Sequence, residues 1–240
     1  METPAEKYLH GFTPGEQERL YSQAQLLEEM IYSGVDFRNT SHLLEVGCGV
    51  GAQTEMLLLR FSHLKITGID FSATQLQAAQ KRLDENPERC KQVTLQQMDA
   101  KAMTFSNHEN FDGAFLCWVL EHIPEPQRVL EETKRVLQPG STVYITEVQN
   151  ATFYIEPYSP AVLHYWNCFN ELQRSIGGDP FVGAKLGNLL HDCGYTNIRT
   201  EIKTFFYDNR QPQKREDMFS YCLSLLLSAS ENLIAAGYIT

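Results

Sequence analysis

A glycine-rich turn is the strongest chemical signal in the sequence. The run LLEVGCGVG (43–51) passes from apolar residues into Gly47, Gly49 and Gly51, and a helical pattern begins at Ala52. Glycines leave room for a ligand to approach the backbone, and they adopt the positive φ angles that tight turns often need. A strand, a glycine-rich turn and a helix in this order are typical of a nucleotide-binding crevice.

An acidic residue follows at the end of the next apolar run. The run ITGID (66–70) ends in Asp70, and a carboxylate at this place can accept hydrogen bonds from both hydroxyls of a ribose. These two features alone are ambiguous, because Gly47, Gly49 and Ala52 also satisfy the dinucleotide fingerprint. An NAD-dependent oxidoreductase is therefore one alternative.

Three further features decide between the alternatives. Glu45 lies inside the first strand, Asp99 lies where the third strand would end, and LQPGS (137–141) joins a helix to the fifth strand. Together with the glycine-rich turn and the ribose acid, they resemble the ordered motifs of class I S-adenosylmethionine-dependent methyltransferases. The resemblance covers about residues 40–148. It disfavours the oxidoreductase, because Glu45 would intrude on the dinucleotide and no second substrate domain follows.

Two other stretches resemble one branch of that family. They are YLHGF (8–12) and HYWN (164–167), and the branch is associated with small molecules. The resemblance implies methyl transfer from S-adenosyl-L-methionine to an O, N or C atom of a small-molecule acceptor, with S-adenosyl-L-homocysteine as the product. A regulator that binds S-adenosylmethionine without catalysis is the remaining alternative.

The family resemblance also implies roles for individual residues around the cofactor. Glu45 and the backbone of Gly47 and Gly49 would face its methionine part, and Asp70 would take the ribose hydroxyls. The residues implied at the adenine are Phe71, Gln75, Asp99 and Ala100. The backbone of Cys117 would lie near the sulfonium.

The acceptor site is predicted from two segments that are rich in aromatic residues. Residues 148–183 lie between the fifth and sixth predicted strands, and a segment of this length and composition is either a cap over a pocket or an extra layer of core. In the amino-terminal segment, Gly11 and Gly15 allow the chain to fold back as a lid. The residues expected to line the acceptor pocket are Tyr8, His10, Tyr154, Tyr158, His164, Tyr165 and Trp166.

No fixed catalytic residue is predicted. Methyl transfer from a sulfonium is an in-line displacement with a neutral leaving group, so alignment of the reactants and exclusion of water can supply most of the rate. His122, which follows the fourth strand, is a candidate for a general base because imidazole titrates near neutral pH. The alternative is that His122 holds a loop by hydrogen bonding.

Strand-like and helical runs alternate from His42 onward. This alternation predicts an α/β fold, a Rossmann-like, doubly wound, mostly parallel sheet with helices on both faces. The predicted strands cover residues 43–46, 66–69, 93–97, 113–117, 142–147 and 198–206, and the helices between them cover 52–60, 73–86, 126–137 and 184–193.

A single domain is expected over residues 1–240. Its parts are an amino-terminal lid and helix (1–40), a cofactor-binding core (41–148), an acceptor cap (149–183) and a carboxyl-terminal part (184–240). The family sheet usually ends in an antiparallel hairpin, of which only the first strand is found. The second strand is either missing from this sequence or begins at Gly237.

Composition limits the partners of the chain. Its 240 residues include 30 acidic and 20 basic ones, for a net charge of −10, which disfavours nucleic acid because binding the phosphate backbone needs a basic face. The six cysteines form no C-x-x-C pair and no zinc spacing with histidine, so no metal site is predicted. We expect a cytoplasmic protein with reduced thiols, no signal peptide and no membrane span.

Overall fold

The computed structural model describes residues 8–108 and 111–240. Five parallel strands form one sheet in the order β3-β2-β1-β4-β5. The strands are β1 His42–Val46, β2 Lys65–Asp70, β3 Val93–Gln97, β4 Phe111–Cys117 and β5 Leu137–Thr146. The predicted doubly wound parallel sheet is therefore confirmed for its first five strands.

The helices connect the strands and flank the sheet. Side chains of Thr13, Ser72 and Ser159 accept a hydrogen bond from the first turn of α1, α4 and α7, which satisfies one otherwise unpaired N–H group at each start. The helices are α1 Pro14–Leu26, α2 Glu28–Tyr32, α3 Ala52–Arg60, α4 Ala73–Asp84, α5 Pro87–Cys90, α6 Pro126–Val136, α7 Pro160–Ser175, α8 Leu186–Asp192, α9 Pro212–Ser228 and α10 Ser230–Ala235.

Alternating side chains of the central strands build two cores, one on each face of the sheet. Leu43 and Phe115 pack in one core with residues of α2 and α3. Their neighbours Leu44 and Leu116 pack in the other core with residues of α6 and α8. Successive side chains of a strand point to opposite faces, so the apolar runs of β1 and β4 require helices on both sides.

The strand order reverses between β1 and β4, where the chain crosses to the other half of the sheet. The connections after neighbouring strands leave in opposite directions at such a point, which opens a crevice beyond the carboxyl ends of the strands. The glycine-rich turn follows β1, and Trp118 follows β4. Both segments therefore border this crevice.

The prediction of a sixth strand at 198–206 is wrong, because that segment contains no strand. Residues 237–240 form no strand either; Tyr238 and Ile239 pack instead against the core around α7. A strand needs the backbone of a neighbouring strand to pair with. Alternating apolar and polar residues, as in the segment 198–206, do not provide such a partner. Phe206 accordingly keeps 72% of its surface exposed.

The two carboxyl-terminal helices form a largely exposed apolar stretch. Pro212–Ala235 is long and apolar enough to cross a membrane by length and composition alone. A single helix of this kind is weak evidence, since core helices of globular proteins meet the same criterion. The expected absence of a membrane span stays a prediction. Exposed apolar side chains on this stretch are Phe219, Leu223, Leu227 and Ile234.

Candidate functional site

A large cavity lies at the carboxyl ends of the strands. Its volume of about 2430 Å³ exceeds the roughly 300–1,000 Å³ of a pocket for one drug-sized ligand. The glycine-rich turn, the segments after β2 to β5, the inner side of α7 and the segment 199–208 all line it. The cavity therefore has room for more than one small molecule.

The glycines of the turn differ in what surrounds the position that a side chain would occupy. Gly47, Gly49 and Gly51 all have positive φ angles, of 71°, 52° and 75°. A Cβ atom on Gly47 would lie 2.5 Å from a methyl carbon of Val119, whereas a Cβ atom on Gly49 would meet nothing within 4 Å. Packing against Val119 thus excludes a side chain at Gly47, while Gly49 opens directly into the cavity.

Asp70 is held beside the glycine-rich turn by the backbone. Its Oδ2 accepts a hydrogen bond from the N–H of Gly49 at 2.9 Å, and its Oδ1 accepts one from the N–H of Ser72 at 2.8 Å. Burial raises the pKa of the Asp70 carboxyl. A carboxylate offers about four lone-pair sites, so both oxygens retain capacity to accept from a ligand in the cavity.

The residues predicted at the adenine are brought together on one side of the cavity. Phe71 is 46% exposed there. Oδ1 of Asp99 accepts from the N–H of Lys101 at 2.9 Å, which leaves Oδ2 with lone pairs for a donor in the cavity. Buried Gln75 accepts a hydrogen bond from Gln17. All of these, together with Ala100 and Cys117, line the cavity.

Glu45 lies beneath the turn and does not line the cavity. Its Oε2 accepts a hydrogen bond from the hydroxyl of Thr54 in α3 at 2.5 Å. Burial, with a smaller contribution from Asp70, raises the pKa of Glu45 to about 8. The placement ties β1 to the first turn of α3, and the implied contact of Glu45 with a methionine part stays a prediction.

Trp118, which the sequence did not single out, stands at the point where the strand order reverses. Its φ angle of 54° is rare for a bulky residue and costs conformational energy. The N–H of Trp118 donates to the carbonyl of Thr146 at 2.9 Å, and this bond joins the ends of β4 and β5. The side chain lines the cavity.

Two buried carboxyl groups, also missed from the sequence, line the same part of the cavity. Oε1 of Glu147 accepts from the N–H groups of Val119 and Leu120 at 2.9 and 2.7 Å. Oε2 of Glu121 accepts from Nε2 of Gln173 at 2.9 Å. Burial and the nearby Glu121 raise the pKa of Glu147 to about 8. Its position immediately after β5 was the sequence signal that could have identified it.

The amino-terminal segment folds back against the cavity. The ring of Tyr8 lies 4.9 Å from that of His122, centroid to centroid, and Nδ1 of His10 lies 2.5 Å from the hydroxyl of Ser228. Burial lowers the pKa of both histidines. His122 lies 3.6 Å from Oε1 of Glu121 and lines the cavity.

The inner side of α7 contributes aromatic rings to the cavity. Buried Trp166 stacks between Phe153 and Phe169, with centroid distances of 4.5 and 5.3 Å, and its Nε1 donates to the carbonyl of Asn150 at 2.8 Å. Tyr154 lies at the rim, 69% exposed. Trp166 and Tyr154 thus line the cavity, and their contact with an acceptor stays a prediction.

Three of the residues predicted for the acceptor pocket lie elsewhere. Tyr158, His164 and Tyr165 do not line the cavity. A helix presents one face to a neighbour at a spacing of three to four residues, so Trp166 and Phe169 face inward while His164 is exposed. The hydroxyl of Tyr165 donates to the carbonyl of Leu226 at 2.8 Å. This hydrogen bond joins α7 to α9.

No metal centre is found in the part of the chain that the structure describes. No group of three or more His, Cys, Asp or Glu side chains there has a geometry that could hold a metal ion.

The fold and the cavity define an α/β protein with a nucleotide-type cofactor crevice. Residues 44–145 match a family model described as a methyltransferase domain. A demethylmenaquinone methyltransferase of Desulfitobacterium hafniense (strain Y51) is 30% identical over 152 residues, which cover 62% of this chain and 57% of the relative. Residues 44–145 therefore form a methyltransferase domain of the class I S-adenosylmethionine-dependent type.

Other comparisons agree with this family. A phosphatidylethanolamine N-methyltransferase of Cereibacter sphaeroides is 37% identical over 43% of this chain and 48% of the relative. The solved structure of Haemonchus contortus phosphoethanolamine N-methyltransferase 2 with S-adenosyl-L-methionine has a TM-score of 0.58 at 20% identity, and the match covers 89% of this chain and 47% of that one. This second likeness concerns the fold alone. The chain spans little more than half the length of the first curated relatives it matches.

Proposed function

We propose that this chain transfers a methyl group from S-adenosyl-L-methionine to a small-molecule acceptor and releases S-adenosyl-L-homocysteine. The observation that carries the proposal is the pairing of Gly49 and Asp70. Gly49 leaves open space above its backbone, and its N–H donates to the Asp70 carboxylate inside the cavity. Gly49 and Asp70 would hold a nucleoside here, with the Asp70 carboxylate as the acceptor for its ribose hydroxyls.

The residues around this pair fit the proposed cofactor. Asp70 keeps lone pairs for two hydroxyl donors, and Phe71 presents an exposed ring beside it. Asp99 has an oxygen available for an amino group. Cys117 and Gly47 would border the methionine end, because they lie at the ends of β4 and β1 on either side of the crevice.

The chain contributes position and a dry environment to the reaction. When bound, S-adenosylmethionine supplies an electrophilic methyl group on a sulfonium. Trp118, Val119 and Tyr8 line the cavity, and Val119 packs against Gly47 of the turn. Alignment of two reactants and exclusion of water then supply most of the rate.

The names of the relatives support an acceptor of low molecular weight. They include demethylmenaquinone, ubiquinone-pathway and phosphatidylethanolamine methyltransferases. The aromatic lining around Trp166 and the remaining cavity volume also suit a small acceptor with apolar parts.

Replacing Asp70 with Asn tests the cofactor site. Asp70→Asn removes the charge that strengthens hydrogen bonds to ribose, so the Kd for S-adenosylhomocysteine is expected to rise roughly ten- to a hundredfold. Isothermal titration calorimetry measures the change. Asp84→Asn, an exposed change on α4, is the control and leaves the Kd unaltered.

Two results would contradict the proposal. One is wild-type affinity for S-adenosylhomocysteine in a folded Asp70→Asn protein. The other is a wild-type protein that binds NAD and not S-adenosylhomocysteine.

A further inference from the structure

Two buried oxygen atoms near the acceptor side of the cavity lack hydrogen-bond donors. Among the described residues, Oε2 of Glu147 and Oε1 of Gln173 have no partner although both atoms are buried. Gln173 is only 1% exposed, and both side chains line the cavity. A buried acceptor without a donor is costly, so each of these oxygens marks a point where a ligand's donor would bind favourably.

The other atoms of these side chains are already engaged. Nε2 of Gln173 donates to Oε2 of Glu121 and to the Glu121 carbonyl at 2.9 and 3.1 Å. These two bonds fix the orientation of the amide and leave Oε1 as its only atom without a partner among the described residues. The backbone N–H groups of Val119 and Leu120 hold Oε1 of Glu147. The unpaired oxygens are therefore oriented by the protein and not free to rotate toward other donors.

Among the described residues, the groups beside these oxygens are carboxyls and neutral side chains. The one nearby guanidinium, that of Arg19, is paired through two bonds with Glu16 at 2.7 and 2.6 Å, so its charge is already balanced within that pair. Tyr8, His10, Cys117, His122 and Tyr221 also interact with this region, and the carboxyls of Glu45 and Asp70 act on Cys117 and Tyr8. Burial lowers the pKa of both histidines and raises that of the phenols and of the Cys117 thiol, so all five are neutral at pH 7.

The donor count and the net charge select one kind of ligand. A hydroxyl group has one O–H donor, whereas a primary amine has two N–H donors when neutral and three when protonated. An amide oxygen, together with a carboxyl that becomes a carboxylate once it releases its proton, matches the protonated amine, because the ammonium can donate an N–H to each oxygen. On α7, Trp166 lies seven residues before Gln173, about 10 Å along the same helix, and its ring stack suits an apolar body attached to the amine.

We propose that the methyl acceptor of this protein carries a primary amine on an apolar, ring-containing body, and that Oε2 of Glu147 and Oε1 of Gln173 bind its N–H groups. This inference rests on the proposed function and narrows it to one acceptor class. Glu121 is a positioning residue, because it holds the Gln173 amide.

The subsite couples amine binding to proton release. Before binding, the raised pKa of Glu147, about 8, means that this carboxyl holds a proton at pH 7. A bound ammonium favours the carboxylate, so binding releases that proton. Amine affinity is therefore expected to rise as the pH increases from about 6 to about 8.

A matched pair of probes tests the proposal on protein saturated with S-adenosylhomocysteine. Calorimetry compares 2-phenylethylamine with 2-phenylethanol, and the amine is expected to bind at least about tenfold more tightly. In Glu147→Gln the preference falls below about threefold and the proton release, measured in buffers of different ionisation enthalpy, disappears. Glu88→Gln, an exposed carboxyl bonded to Lys91, keeps both.

A second variant covers the case in which Glu147→Gln does not fold by circular dichroism. Gln173→Met removes the other oxygen with little change in volume and is also expected to reduce the amine preference. Equal affinity for the two probes, binding of neither, or an undiminished preference in the folded variants overturns the amine subsite. Loss of S-adenosylhomocysteine binding by the wild type overturns the proposed function itself, so the two failures are distinguishable.

Discussion

At the scale of single residues, the same amino acid has different roles two positions apart. Gly47 and Gly49 both have positive φ angles, which favour glycine. Only Gly47 is also confined by a neighbouring side chain, that of Val119. A side chain at Gly49 would therefore extend into the cavity without contacting other protein atoms near its Cβ position.

This difference predicts the effect of Gly49→Asn. Asparagine tolerates the left-handed conformation better than most residues, so the variant is expected to fold, while its side chain enters the cavity. The Kd for S-adenosylhomocysteine should rise at least about tenfold, as measured by calorimetry. Gly140→Asn is the matched control, because Gly140 has a φ of 88°, open space around its Cβ position and no part in the cavity lining.

A Gly49→Asn protein that binds S-adenosylhomocysteine normally would show that the ligand does not pass over Gly49. An unfolded variant beside a folded Gly140→Asn would show that Gly49 is required for folding before it is required for binding.

At the scale of elements, the position of the amino-terminal segment depends on helices that are distant from it in sequence. The segment at residues 8–12 lies against the cavity because α9 and α10 hold it there. His10 pairs with Ser228, and the carbonyl of Leu9 accepts from Nδ2 of Asn232 at 2.8 Å. Tyr165 in turn binds the carbonyl of Leu226 in α9. The carboxyl-terminal helices thus connect the amino-terminal segment to α7.

Asn232→Ala is expected to loosen the amino-terminal segment without unfolding the sheet. The lost hydrogen bond contributes roughly 0.5–1.5 kcal/mol, so amide hydrogen exchange at residues 9–12 should accelerate about two- to tenfold while exchange in β1 stays unchanged. Asn209→Ala is the control, because exposed Asn209 contacts Arg215 outside this segment. Equal exchange at residues 9–12 in wild type and Asn232→Ala would show that α10 does not hold the segment.

At the scale of the whole molecule, buried carboxyl groups set the dependence of stability on pH. The pKa values of Glu45 and Glu147 are raised to about 8, and that of Asp70 is raised as well. The folded protein therefore holds protons that the unfolded chain has released, and the free energy of unfolding falls as pH rises through this range. The lowered pKa values of His10 and His122 act in the opposite direction, but only below about pH 6.5.

Ligand-free protein is accordingly expected to lose thermal stability between about pH 6.5 and about pH 8, by at most about 1.4 kcal/mol per pH unit for each carboxyl. Scanning calorimetry at several pH values measures this slope. Glu45→Gln should flatten it, because the amide keeps an acceptor for Thr54 but does not titrate. A Tm that stays constant or rises over this window, or an unchanged slope in Glu45→Gln, would contradict the assignment.

The amino-acid sequence by itself determined the methyltransferase domain, the first five strands of its parallel sheet and the cofactor crevice. These follow from local information, because apolar strand runs, a glycine-rich turn and acids at strand ends occur at fixed spacings along the chain. The positions of Asp70, Phe71 and Asp99 around one cavity could be predicted, since the carboxyl ends of parallel strands meet at one edge.

The tertiary structure alone decided the acceptor side. Whether an aromatic residue of α7 faces the cavity depends on the rotation of that helix, which places Trp166 inside and His164 and Tyr165 outside. The segment 198–206 shows an alternating pattern without a strand to pair with. The pairing of Glu121 with Gln173 and the unsatisfied oxygen of Glu147 arise from residues far apart in the chain, and no local spacing predicts their approach.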